Sequence, residues 1–316
     1  MNAKCLIFKP LYIERVWGGR KLETLFGRKL PKENRIGESW ELVDRKDAQS
    51  IVLEGRFEGH TLHELWTNHR EEIFGTAYLQ PRFPILIKIL DASDALSVQV
   101  HPPVHLAPLF GEEPKTEMWY FVATEKGSSI YAGLKKGVSK RAFEVALTDA
   151  SVANLLHRIP SIADDFIFIP SGRLHAIDAG NVIFEIQQNS DTTYRVFDWN
   201  RIGLDGVPRK LHLEESLRSI DFDDFEPGLS CPSGETLIAS DYFNVDRWEL
   251  TKPRPANDLT QFSVFQVIRG EISFESRRFR SGDLFLVPAS THSTPVISET
   301  GSSLVLRITL RTAVVE

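Results

Sequence analysis

The chain has 316 residues, 42% apolar and 25% charged, enough to bury large cores and too ordinary in composition for disorder or low complexity. Its 37 basic and 43 acidic side chains leave a net charge of −6 and form no dense Lys/Arg stripe, so nucleic acid is not an expected partner. Only two cysteines occur, Cys5 and Cys231, which excludes a disulfide framework or a thiolate zinc cluster and fits a reducing cytoplasm.

In chain order, "MNAKCLIFKP" carries too short an apolar run for a signal peptide. The segment "HTLHELWTNHREEIF" (60–74) predicts a helix opened by a Thr61/Glu64 capping box. Strand-like runs follow in "PILIKILDA" (84–92), "ALSVQV" (95–100), "EMWYFVA" (117–123) and "SIYAGL" (129–134), each bounded by turn formers. The longest apolar stretch, "FPILIKIL" (83–90), is interrupted by Lys88 and far short of a membrane span, so no membrane partner is expected. A helical pattern covers about 139–159, "SKRAFEVALTDASVANLLHRI", and is expected as a small insertion on a β framework. Strands are predicted again in "DFIFIP", "NVIFEIQQ" and "TTYRVFDW", then a short helix in "HLEESLRSI" (212–220).

The segment "FDDFEPGLSCPSGE" (222–235) has the composition of a linker, which divides the chain into a domain of residues 1–225 and one of residues 226–316. Beyond it, "SGDLFLVPASTHSTP" (281–295) echoes "DDFIFIPSGRLHAI" (164–177): an acid, four apolar residues, a proline, then a histidine. A duplicated jelly-roll-like β-barrel is the economical explanation, giving a mainly β fold of two such domains. The second copy lacks the glycine and any companion His/Glu set, and reads as structural.

Chemistry concentrates in the first copy. In "LSVQVHPP" (96–103) strand alternation puts Gln99 and His101 on one face and Val98 and Val100 on the other. Alone, such a pair is more simply a polar strand end. Glu117 in "KTEMWYF" and His175 in "PSGRLHAI" change the balance: two imidazoles, a carboxylate and an amide oxygen suit zinc or a similar divalent metal.

The turn "PSGRLH" resembles the second conserved motif of the cupin superfamily. The series "PILIKILDASDALSVQVHP", "KTEMWY", "PSGRLHAI" and "NSDTTYR", with "VWGG" (16–19) and "IGESWEL" (36–42) before it, resembles the type I phosphomannose isomerases in their compact bacterial form. The resemblance implies two cupin domains and one zinc ion held by Gln99, His101, Glu117 and His175. It also implies interconversion of mannose 6-phosphate and fructose 6-phosphate, with a sugar phosphate as partner. The arginine thought catalytic in that family falls on Arg195, with Asp191 and Glu185 upstream, and Ser97 and Lys115 match active-site positions. Two departures bear on the pocket: Arg201, in "VFDWNR", stands where a lysine is usual, and Ile177 where a tyrosine is common.

These residue types suit the reaction. Moving a proton between adjacent carbons builds negative charge on oxygen, which a fixed guanidinium such as Arg195 and a divalent metal stabilise. The proton needs a group tuned near working pH. Glu185, sharing its strand face with Ile183 and Gln187, is a candidate base, while Asp191 would orient Arg195, and His101 or a metal-bound water are alternatives. Lys115, Ser97 and Arg201 are candidate phosphate donors, although a lysine beside a glutamate is often only a solvated ion pair. Trp17 and Trp40 pack in a core by default, though a ring lining a sugar cavity would agree with the family. Two other readings stand beside the isomerase: a non-catalytic metal- and sugar-binding regulatory cupin, and a different metal-dependent cupin enzyme.

Overall fold

A computed structural model describes residues 5–76, 80–257, 261–291 and 294–311, and the chain is mainly β-sheet. The histidine that closes the second sequence echo, at position 292, lies outside the described residues.

Four sheets stack in layers. The first has six strands in the order Leu11–Gly19, Ile36–Leu42, Ile85–Ala92, Asn181–Gln188, Glu117–Thr124, Phe166–Ile169. Facing it is a five-stranded sheet, Tyr194–Phe197, Val98–Val100, His175–Ile177, Ser129–Leu134, Leu156–Pro160. On the other side lies a second five-stranded sheet, Thr236–Ala239, Phe243–Leu250, Ser303–Leu310, Ser263–Arg269, Leu284–Val287. Behind that is a four-stranded sheet, Arg254–Pro255, Pro295–Ser298, Glu271–Phe274, Arg277–Arg280. Each pair of facing sheets makes a jelly-roll-like sandwich. The expected mainly β fold of two jelly-roll-like units is present; among the described residues the sheets do not join into a closed barrel, so the site is a cleft between two layers.

The six-stranded sheet is covered on both faces, which explains why "PILIKILDA" reads as a nearly continuous apolar run. Ile85, Ile87, Ile89, Phe184 and Ile186 pack toward Val245, Val264, Leu286, Leu306 and Ile308 of the C-terminal sandwich. The alternate positions look the other way, where Leu90, Trp119 and Ile183 meet Ile130, Ala132 and Ile177. Burying one such aliphatic side chain is worth about 1.5–3 kcal/mol, so both layers hold this sheet firmly.

The helices differ from expectation in their limits. The capping box at Thr61 forms, but the helix Leu62–Asn68 stops at His69 and a separate turn, Arg70–Ile73, follows. In the 139–159 segment only Lys140–Thr148 is α-helix, capped by Ser139 Oγ on the Ala142 amide. Asp149 then accepts the Ser151 amide with its side chain and Ala150 takes a positive φ of 59°, which ends the helix. A 3-10 turn, Val152–Leu155, leads into Leu156–Pro160, an edge strand rather than helix because it pairs with Ser129–Leu134. An unforeseen helix, Lys21–Phe26, ends on Gly27 in the left-handed region. In "VWGG" and "IGESWEL" the glycines serve close approach: a Cβ on Gly18 would lie 2.4 Å from the Gly37 amide nitrogen.

Candidate active site

Glu117 opens its strand on the inner face of the six-stranded sheet, while Gln99 and His175 pair directly across the facing sheet. His101 follows two residues after Gln99. The ligand atoms of His101, Glu117 and His175 lie within 4.8 Å of one another, all buried. Each histidine donates Nδ1–H to a backbone carbonyl, His101 to Thr192 at 2.8 Å and His175 to Arg173 at 2.9 Å, which leaves both Nε2 lone pairs facing Glu117 at 3.5 Å. The Gln99 amide is 3.3 Å from His175 Nε2.

The charges around this group favour cation binding. His101 is driven down to about 3, first by burial and then by the Lys115 ammonium, and burial likewise lowers His175, so both rings are neutral at physiological pH, the form that can ligate a metal. Burial would raise Glu117, but the Lys115 ammonium, whose Nζ is 2.9 Å from Oε2, outweighs it and holds the carboxyl well below its usual range. Both Glu117 oxygens are fully buried; Oε2 is ion-paired with Lys115, whereas Oε1 meets only the His175 Nε2 lone pair at 3.5 Å and accepts no hydrogen bond. Two neutral imidazoles aimed at an anion with unused lone pairs fit a divalent metal.

Above this floor opens a cavity of about 530 Å³. Ser97, Gln99, Lys115, Glu185, Asp191 and Arg195 all line it, as does the Trp17 indole. Arg195 sits beside Gln99 in register, and one of its terminal nitrogens donates to the Lys210 carbonyl at 3.0 Å. Asp191 stands at the exposed rim. Arg201 is placed differently. It does not line the cavity, and its guanidinium is taken up by Asp198 at 2.8 Å, Asp94 at 3.5 Å and the Ala95 carbonyl. The cation that reaches the cavity from this segment is Arg209. Trp40 does not line it either and donates Nε1–H to Glu38 at 2.6 Å.

A buried charge network forms the wall opposite. Lys88 bridges Glu38 at 3.5 Å and Glu185 at 3.4 Å; Arg15 Nε donates to Glu38 at 2.6 Å and Trp119 Nε1 to Glu185 at 3.0 Å. Burial disfavours the Lys88 ammonium, but the two carboxylates outweigh this and hold it charged. Glu38 is kept down at about 2 because Lys88 and Arg15 overcome its burial, whereas Glu185 is raised by burial and by the Glu117 charge. Sequence reasoning passed over Lys88 and Glu38, although a single lysine inside an apolar strand was a readable signal. Arg209 and His212 carried none, since a hairpin returns them to the cavity.

Comparison with known proteins agrees with this geometry. A family model described as phosphomannose isomerase type I, catalytic domain, matches residues 6–127. The chain is 36% identical over 301 residues to mannose-6-phosphate isomerase ManA of Bacillus subtilis, covering 91% of this chain and 94% of that protein. It is 34% identical to mannose-6-phosphate isomerase of Streptococcus mutans, over 90% of this chain and 94% of that one. The crystal structure of mannose 6-phosphate isomerase from Bacillus subtilis superposes with a TM-score of 0.85 at 31% identity, covering 96% of this chain and 99% of that chain. The chain belongs to the type I phosphomannose isomerase family.

Proposed function

We propose that this protein interconverts mannose 6-phosphate and fructose 6-phosphate through an enediol, using one divalent ion, zinc by the nature of its donors. The observation that carries the reading is the buried His101, Glu117 and His175 cluster, with both imidazole Nε2 lone pairs turned to the carboxylate, at the floor of a polar cavity. Gln99, His101, Glu117 and His175 would hold the ion, which when bound supplies Lewis-acid polarisation of substrate oxygen.

The chain's own residues supply the rest. Glu185 is the proposed base, because its raised pKa suits a group that both takes and returns a proton. Trp119 and Lys88 fix the direction of its carboxyl. Arg195 presents a charged guanidinium already held by the Lys210 carbonyl, and such preorganised charge stabilises a developing oxyanion strongly in a closed site. Asp191 at the rim would engage the sugar or Arg195. Ser97 and Lys115 are the proposed polar contacts to the substrate near the metal ligands.

We further propose the division at 225/226 into a catalytic and a C-terminal cupin domain, and a cytoplasmic location for the protein. Supporting that division, the strands of the two N-terminal sheets precede residue 161 or lie within 166–197, and those of the other two follow residue 235. Among the described residues no helix is long and apolar enough to cross a membrane.

The test is turnover of mannose 6-phosphate by purified protein before and after chelation and zinc restoration, with metal content measured on the same samples. Loss on chelation and recovery with one zinc per chain is the expected result. Stoichiometric metal without turnover would support the regulatory cupin instead.

A further inference from the structure

Between Trp199 and His212 the chain leaves the five-stranded sheet, turns and comes back. Trp199 and Asn200 adopt left-handed φ of 56° and 55°, Ile202 bridges to Pro208, and the Gly203 amide donates to the Val207 carbonyl at 2.8 Å. The return is pinned to the site strand: the His212 amide donates to the Arg195 carbonyl at 2.8 Å, and the Arg195 amide to His212 Nδ1 at 3.2 Å. The hairpin therefore overhangs the cavity and lines it with Leu204, Asp205 and Arg209.

Its base carries more positive than negative charge. Asp198, buried, binds two guanidinium groups, Arg201 through one nitrogen and Arg209 through Nε at 2.7 Å and Nη2. Arg195 pairs with no carboxylate among the described residues, and its buried Nε has no acceptor. The charged groups bearing most on Arg195 are Arg209, Asp198, Arg15 and Arg201, three cations to one acid. Of the two arginines on Asp198, only Arg209 faces the cavity, with Nη1 left without a hydrogen-bond partner among the described residues. Asp205 also lines this rim, but its carboxylate accepts the Val207 amide within the hairpin.

We propose that Arg209, oriented by Asp198 and seated beside Arg195, is the residue that reads the phosphate dianion of the substrate, while Arg201 only braces Asp198. The identity of the substrate rests on the isomerase reading; the anion site does not. A guanidinium held rigidly on one edge offers its free edge to phosphate with little entropy left to lose. A dianion here supplies the counter-charge that the arginine group lacks. Placing recognition on the hairpin, away from the metal ligands, separates substrate selection from chemistry.

Two measurements test this. The first is titration calorimetry of inorganic phosphate and of mannose 6-phosphate into the wild type, Arg209→Gln, Arg209→Lys and Arg201→Gln, with melting temperature as the check on folding. The second is steady-state kinetics on the same proteins. Arg209→Gln is expected to weaken both phosphate and mannose 6-phosphate at least about tenfold and to raise KM more than it lowers kcat. Arg209→Lys should recover part of the affinity, and Arg201→Gln should change it less than threefold while lowering the melting temperature. Phosphate affinity within twofold of wild type in Arg209→Gln, or an equal loss in Arg201→Gln, would overturn the assignment. Phosphate binding lost in Arg209→Gln when the wild type shows no turnover would sink the isomerase reading and leave the anion site standing.

Discussion

The two sandwiches share one strand order, to which the N-terminal one adds an edge strand in each sheet, and have opposite interiors. Register makes the correspondence residue by residue. Glu117 faces Ile169 as Ser263 faces Val287, and Trp119 faces Ile167 as Phe265 faces Phe285. Glu185 lies between Lys88 and Trp119; in the equivalent place Arg307 lies between Asp246 and Phe265. The central charge pair persists with its polarity reversed, Arg307 to Asp246 at 3.5 Å, and a serine replaces the Glu117 carboxylate. Around that pair the C-terminal interior is filled by rings: Phe285 stacks on Phe279 at 4.1 Å and on Phe265 at 5.2 Å, and Phe274 lies 5.8 Å away. One architecture thus serves as an open cavity or as a filled core: where the first sandwich holds Glu117, Glu185, Trp119 and Ile167, the second holds Ser263, Arg307, Phe265 and Phe285.

That contrast can be broken at both ends. The largest effect is expected from Glu117→Gln, which removes the anion at the centre of the ligand group: bound metal should fall below stoichiometric and turnover by about 1000-fold, read by metal analysis and initial rates. Arg195→Ala should keep its metal while kcat drops about 100-fold or more, the loss typical of removing a preorganised oxyanion partner. A near wild-type rate would take the residue out of the mechanism. For Glu185→Gln a fall of about 100-fold is expected. As a base, Glu185 works only when ionised, and its raised pKa moves the acidic limb of the kcat/KM profile above the usual carboxylate value of about 4.3. The rate should therefore fall as pH drops through that limb, and Glu185→Gln should abolish the dependence. Smallest in its effect on catalysis is Phe285→Ala, expected to cost about 3–5 kcal/mol of stability in denaturant titration with KM and kcat unchanged at low temperature.

How legible the molecule was depended on how local each feature is. Gln99 and His101 were readable because alternation along one strand puts them on one face, and Glu117 and His175 because each follows a sharp break into a strand. That the two sheets of each unit stay separate was not, since whether sheets join at their edges is decided by pairings distant in sequence. The helix over 139–159 was overextended because leucines at 155 and 156 fit either period; the edge of Ser129–Leu134 claims the second as strand. Arg201 was matched to the place of the family's usual lysine; it does not line the cavity, because the chain leaves the sheet just there and brings Arg209 back instead.

The six-stranded sheet has no outside. One face closes the site and the other is the floor of the C-terminal sandwich, so neither half owns it. A fragment ending at residue 225 would present Ile85, Ile87, Phe184 and Ile186 bare to water, an exposed apolar surface that promotes aggregation. The two halves should accordingly melt in one transition, and loosening the filled core would be felt in the catalytic half as lost lifetime rather than altered chemistry.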